Sequence, residues 1–323
     1  MGNCFDKLTA EIAPSDVIKG SPVVRLCGSP TSTVTCYVRF GLLYKPVSVH
    51  FVPAEEPDHG SGDPVIRFGS ETVSGPPERL IRYIDSKFPD PPLLNGVPGD
   101  EKTPLAVRVA RLQHRSMTWH VERLVRWAED LAARGGGAAA VDPAVGSLRM
   151  EVKKFGRSYG QLLEVMLEHA QMEERVVFPL LESADPGLCK AANEYHARDL
   201  PIMNGIKEDI KSIGVLDTGT PSYQEALFNL HNRLKTLQQY CKEHFDEEER
   251  KLLPCVEAVE VSREQHGRVF ERCLEVMEGT HSGLFPFLIE GLLPREAMQY
   301  LDLIITQCSN KERVASMLRA VTK

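Results

Sequence analysis

Two stretches of this chain, EHAQMEERVVFPLLE at 168–182 and EHFDEEERKLLPCVE at 243–257, agree at seven of fifteen positions across an offset of 75 residues. The shared positions are the Glu-His start, the Glu-Glu-Arg triplet, the Pro and the final Glu. In each stretch a histidine precedes a glutamate by four residues: His169 before Glu173, and His244 before Glu248. On an α-helix, positions i and i+4 share one face with Cβ atoms about 5–6 Å apart. An imidazole nitrogen and a carboxylate oxygen can then reach the same point in space. A Glu-rich chain with ten histidines produces one such pair by accident. A pair that recurs at equivalent places in a doubled pattern constrains the fold, because the helix carrying the first must correspond to the helix carrying the second.

The surrounding periodicity supplies the partners. Residues 105–133 carry apolar or aromatic groups at 107, 110, 117, 121, 124, 128 and 131, a heptad-like stripe broken by GGGAAAVDPAVGS. A second helix spans about 147–183, ADPG breaks it, and a third runs to about 213. A fourth starts near Pro221, with Ser222 as its cap, and reaches about 258. Short loops between long amphipathic helices imply antiparallel neighbours and a four-helix bundle. Residues 262–323 add EQHGRVFERCLEVM, LPREAMQYLDLII and KERVASMLRAV as further helices.

Bundles that aim His and carboxylate inward from facing helices hold di-iron or di-manganese sites, and that donor set suits iron, manganese or zinc. If helices two and four each give a pair, helices one and three should each give a histidine. Helix three has His196, and helix one has His114 and His120. His114 lies on the apolar stripe, about 20 residues before its loop, while His169 lies about 22 after the next helix begins, so their heights match. His120 is about 14 residues from the loop and off the stripe, and is the second candidate. Glu174, Glu247 and Glu249 read as solvated or supporting acids. Arg175 and Arg250 read as partners for the ligand carboxylates or as members of surface pairs.

These residues resemble the hemerythrin-like, or HHE cation-binding, family through LQHRSMTWHVERL and the repeated H-x-x-x-E-E-x-x-x-x-P, over about 105–260. The resemblance implies an up-down bundle with ligands His114, His169, Glu173, His196, His244 and Glu248, the two glutamates bridging the metals. Oxygen-carrying members have a second histidine one turn after that of the third helix. Leu200 stands there, between Asp199 and Pro201, with Asp199 as a second-rank ligand. The incomplete set shifts the expectation from O2 storage to metal binding, iron sensing or redox chemistry with O2, NO or peroxide.

Ahead of the bundle, residues 22–90 read as α/β. PVVRLCG, PVSVHFV and PVIRF are strands, STVTCYVRFGLL is a helix stopped by Gly41, and PPERLIRYIDSKF is a terminal helix. The order is that of a thioredoxin-like domain. LCGSPTSTVTCYV and YIDSKFPDPPLL resemble the N-terminal domain of phi-type glutathione transferases. That resemblance implies Ser32 at the thiolate-activating serine and Pro64 at the cis-proline, but the Glu-Ser pair that would hold the γ-glutamyl group falls on Pro76–Pro77. Proline offers neither a carboxylate nor a donor, so a structural or docking role, the latter with a protein partner, is expected in place of glutathione chemistry.

The start, MGNCFDK, pairs Gly2 with Cys4 as candidate myristoyl and palmitoyl sites, with Asp6 departing from the pattern. No apolar run reaches the roughly 18 residues needed to span a bilayer, and the N-terminus has no secretory h-region. Scattered cysteines without a CxxC point to a reducing compartment. The expected location is cytoplasmic, held at the cytoplasmic face of a membrane if the lipids are attached. A net charge of −7 without a Lys/Arg block argues against nucleic acid.

The expected organisation is an α+β chain. It comprises an N-terminal segment 1–21, a thioredoxin-like domain 22–90, a linker 91–104, a hemerythrin-like four-helix bundle 105–260 and additional helices 261–323. The expected function is non-haem iron binding at a dinuclear centre, in iron or oxygen and redox sensing, with zinc or manganese as other metals the donors suit. An enzymatic role is the less favoured one. The alternatives are a transferase-like enzyme using Ser32 or a membrane-tethered adaptor with a structural metal.

Overall fold

The computed structural model describes residues 21–54, 63–94, 103–135, 147–259 and 263–322. Gly2 and Cys4 lie outside them. The chain divides into two compact units, one formed by residues 1–101 and 292–323, the other by 102–291.

In the first unit, β1 (Val23–Gly28), α1 (Thr33–Leu43), β2 (Ser48–Pro53), β3 (Val65–Phe68), β4 (Glu71–Ser74) and α2 (Pro77–Lys87) follow in order. The sheet order is β2-β1-β3-β4, with β1 parallel to β2 and β3 antiparallel to both its neighbours. This is the thioredoxin-like arrangement. Side chains alternate across each strand: Val24, Leu26 and Ile66 are buried while Val23, Arg25 and Arg67 face out. Val38, Phe40, Leu42, Leu80, Ile81 and Ile84 complete the core, each worth about 1.5–3 kcal/mol of burial. Helices α12 (Pro294–Gln307) and α13 (Lys311–Val321) belong to this unit and pack on α1.

Two local expectations are corrected. Gly41 does not stop α1 but lies within it. A Cβ there would come within 3.1 Å of Ile81 and 3.3 Å of Leu93, so the glycine permits close packing. The peptide bond before Pro64 is trans; the cis bond among the described residues is Asp90–Pro91. Ser32 caps α1, its Oγ accepting from the Thr35 N–H at 3.3 Å. At the end of α2, the buried Lys45 ammonium donates to Asp85 at 2.7 Å and to the Phe88 and Pro91 carbonyls at 2.6 and 2.5 Å. Asp85 in turn accepts from the Leu93 and Leu94 N–H groups, fixing residues 88–94 against the domain.

The second unit is helical. Its four long helices are α3 (Leu105–Gly135), α4 (Leu148–Met172), α6 (Lys190–Val215) and α7 (Pro221–Glu247). Each packs on two of the others, α3 and α6 on both α4 and α7, as a four-helix bundle requires. The cap of α7 is Thr220, not Ser222. With Pro221 in the first turn, the residue before it accepts from the Tyr223 N–H at 3.2 Å. Short helices α5 (Phe178–Ala184) and α8 (Leu253–Ala258) continue α4 and α7. Helix α9 (Arg263–Val276) packs on α3 and α4 and is followed by α10 (Glu278–Ser282) and α11 (Phe285–Glu290). Among the described residues no helix is long and apolar enough to cross a membrane.

Candidate metal centre

Between α4 and α5, and again between α7 and α8, the helix widens into a five-residue π-turn, Glu173–Val177 and Glu248–Leu252. Each begins on the glutamate of a repeated pair. The Phe178 N–H bonds to the Glu173 carbonyl and the Leu253 N–H to the Glu248 carbonyl, five residues back in both cases. The shared proline explains the widening. Pro179 and Pro254 have no N–H for the α-ladder, and in a regular helix each ring would clash with the carbonyl four residues earlier. π-Turns of this kind are frequent at functional sites.

Six of the predicted residues converge. His114, His169, Glu173 and Glu248 offer ligand atoms that all lie within 4.8 Å of one another, and so do Glu173, His196, His244 and Glu248. The two groups share the two glutamates. Within them, His169 Nε2 is 3.4 Å from Glu173 Oε1, His196 Nε2 is 3.5 Å from Glu173 Oε2, and His244 Nε2 is 2.9 Å from Glu248 Oε1. His114 Nε2 lies 3.4 Å from Glu248 Oε2 and 3.1 Å from His169 Nε2.

The other ring nitrogen of every histidine is held by a side-chain acceptor. His114 Nδ1 meets Glu249 Oε1 at 3.0 Å, His169 Nδ1 meets Gln113 Oε1 at 2.8 Å, and His196 Nδ1 meets Glu174 Oε1 at 2.8 Å. His244 Nδ1 lies 3.3 Å from Asp199 Oδ2. Acceptors at Nδ1 fix the proton there and turn the Nε2 lone pair inward, as metal-ligating histidines require. The doubled Glu-Glu thus divides its labour. The first glutamate enters the cluster, and the second reaches a neighbouring helix, Glu174 from the π-turn after α4 toward α6 and Glu249 from the π-turn after α7 toward α3.

The cluster fits a cation. With Nδ1 protons committed, the facing Nε2 atoms of His114 and His169 need a positive centre, proton or metal, between them. Glu173 Oε2, Glu248 Oε2 and His196 Nε2 are buried with no hydrogen-bond partner, a costly state for polar atoms unless an ion engages them. Without a metal, protons take that place. Desolvation would lower His114, but the hydrogen bonds it donates to Glu173 and Glu249 and the Glu248 charge raise it to about 9. Desolvation likewise opposes His244, which Asp199 and Glu248 raise to about 10. Burial alone would raise Glu173, yet His169, His114 and His196 hold it well below the usual carboxylate range.

His120 lies outside both groups. Its Nε2 bonds to the Phe287 carbonyl at 2.7 Å and its ring stacks on Phe287, so it fastens α11 to α3. Burial lowers it to about 3. Asp199 sits behind His244 and is itself engaged by Arg198 Nε at 2.9 Å. Arg250 pairs with Glu247 on the surface. Sequence reasoning did not find Gln113. Its one signal is its place beside His114.

A cavity of about 180 Å³ adjoins the cluster. Its apolar wall includes Met117, Met166, Leu200, Met203 and Phe245, and its polar wall His169, Glu174, His196, Asp199 and His244. Leu200, where a further histidine would stand in an oxygen carrier, is 42% exposed and part of this lining. Phe245 stacks on His114 with ring centroids 4.3 Å apart, covering that ring.

Residues 105–256 match the family model described as Hemerythrin HHE cation binding domain. No curated protein matches the chain. The bundle is thus a hemerythrin-like HHE domain carrying His and Glu groups placed to bind metal.

Proposed function

We propose that the bundle holds two metal ions, iron in the cell, and serves iron or oxygen and redox sensing. His114 and His169 would ligate one ion, His196 and His244 the other, and Glu173 and Glu248 would bridge. The observation that carries this reading is the pair of four-donor groups sharing two buried glutamates. When bound, the ions supply Lewis acidity and electrons to a small molecule such as O2, NO or peroxide. The chain's own contribution is to orient four imidazoles through their Nδ1 acceptors and to keep an apolar approach beside them. Leu200 adds no donor, which favours sensing over reversible O2 storage.

The transferase alternative rests on Ser32, whose hydroxyl is engaged as a helix cap, and on a helix whose cap position, Pro76, makes no side-chain capping bond. The first unit is better read as a docking module.

The test is elemental analysis and an optical spectrum, under nitrogen and under air, of protein purified anaerobically. Two ions per chain are expected, iron giving a spectrum that changes on exposure to air. The double variant His169→Ala, His244→Ala should lose them while its helical circular dichroism persists. Wild-type protein without metal, or a double variant that keeps both ions, refutes the reading.

A further inference from the structure

We infer that the two cation positions are unequal: the one served by His196 and His244 exchanges its ion with solvent through the cavity, while the one served by His114 and His169 retains its ion. The inference rests on the dinuclear reading above and concerns which half of that site responds to metal supply.

Three observations carry it. The cavity wall contains both histidines of the second group and both of their Nδ1 acceptors, Glu174 and Asp199. From the first group it contains His169 alone; His114, Gln113 and Glu249 lie off it. Burial follows the same division: the His196 side chain is 10% exposed and that of His244 6%, against 2% for His114 and 3% for His169.

The restraints on the rings differ as well. His169 is held by Gln113, which is fully buried, and His114 lies beneath the stacked Phe245 ring. His196 is held by Glu174, whose side chain is 45% exposed and lines the cavity; Glu249, behind His114, is 36% exposed but lies off the cavity. A carboxylate half in water can swing outward at little cost, taking its hydrogen bond from His196 with it. Glu174 can also meet an incoming hydrated cation before His196 does, since both line the same cavity. Release of the inner ion has no comparable path, because His114 would have to move Phe245 and His169 would have to leave a buried amide. A chain of this kind passes through a one-ion form as metal becomes scarce, with the inner position filled and the outer one empty.

The experiment loads the full chain with Fe(II) under nitrogen, or with Zn(II), adds excess chelator and follows ion release. Two resolved phases of one ion each are expected. Glu174→Gln should accelerate the first phase by about tenfold and leave the second unchanged, and Glu249→Gln should act on the second. Leu200→Trp, at the exposed rim, should slow the first phase by narrowing the cavity. Both ions leaving in one phase, or Glu174→Gln changing both phases equally, overturns the inequality and leaves the dinuclear reading standing. Loading that stops below two ions per chain overturns the dinuclear reading, and this inference with it.

Discussion

Metal binding at this cluster should be a competition with protons, and its pH dependence can be worked out from the rings. In the metal-free chain His114 donates from Nδ1 to Glu249 and lies 3.1 Å from His169 Nε2, while His244 is flanked by Asp199 and Glu248. Their values are raised to about 9 and about 10, so both are imidazolium at neutral pH. A ligating Nε2 must be bare, so loading both positions displaces at least these two protons, and His196, whose value is also raised, adds to them at the acid end. Each displaced proton changes the apparent affinity about tenfold per pH unit, which is about 1.4 kcal/mol. Two give about 100-fold per unit, and about 10,000-fold between pH 6.5 and 8.5, where both rings stay protonated in the metal-free state. The metal-free fold shows the opposite trend. A raised histidine stabilises fully below its unfolded value of 6.5, and that stabilisation is lost as pH rises through about 9 and 10. The assay is competition with a chromophoric chelator at several pH values, corrected for the chelator's own protonation. Calorimetry in buffers of different ionisation enthalpy counts the protons directly. An affinity that rises tenfold or less per pH unit refutes the assignment of a displaced proton to each ring.

Three further outcomes are expected. Gln113→Leu removes the acceptor behind His169 and should weaken metal binding by about 10–100-fold, read by the same competition, with little change in helical signal. His120→Leu should cost about 1–3 kcal/mol through the stranded Phe287 carbonyl, measured by urea denaturation, and should leave metal content at the wild-type level; metal lost here but kept in His114→Leu would reverse the assignment between the two. Lys45→Met leaves Asp85 and two carbonyls without their shared ammonium and should destabilise the first unit by about 3–5 kcal/mol, read as a lowered denaturation midpoint.

Much of the site is legible in the sequence because a ligand pair four residues apart is a local signal, and duplication lifts it above chance. The apolar stripe likewise separates His114 from His120. The Nδ1 acceptors were not legible as such: Gln113, Glu174, Asp199 and Glu249 act across helices, and sequence spacing says nothing about which neighbouring helix a side chain meets. Glu174 and Glu249 read as solvated or supporting acids, and spacing alone does not choose between the two. In the first unit β4 was missed because ETVS is four residues with only Val73 turned partly inward, too short to establish alternation. The positive φ of Gly69, just before it, is the turn signal that could have marked it. Nor does the pattern of α12 and α13 say which unit they complete, since an amphipathic helix specifies a buried face and not its partner.

Each π-turn inserts one extra residue, and one residue is about 100° of rotation on a helix. The helix is therefore out of phase with itself on either side of the ligand glutamate. Before the turn, the inward face presents His169 or His244. From its last residue onward, the inward face is Val177, Phe178 and Leu181 in one copy and Leu252, Leu253 and Val256 in the other, all in one apolar cluster with Cys189 and Cys273. A single continuous stripe could not serve both a polar pair of ions and a dry floor beneath them without compromise at the boundary. The paired phase shifts put the change of role within one turn, at the same level on both helices, so the charged layer ends where the hydrocarbon layer begins.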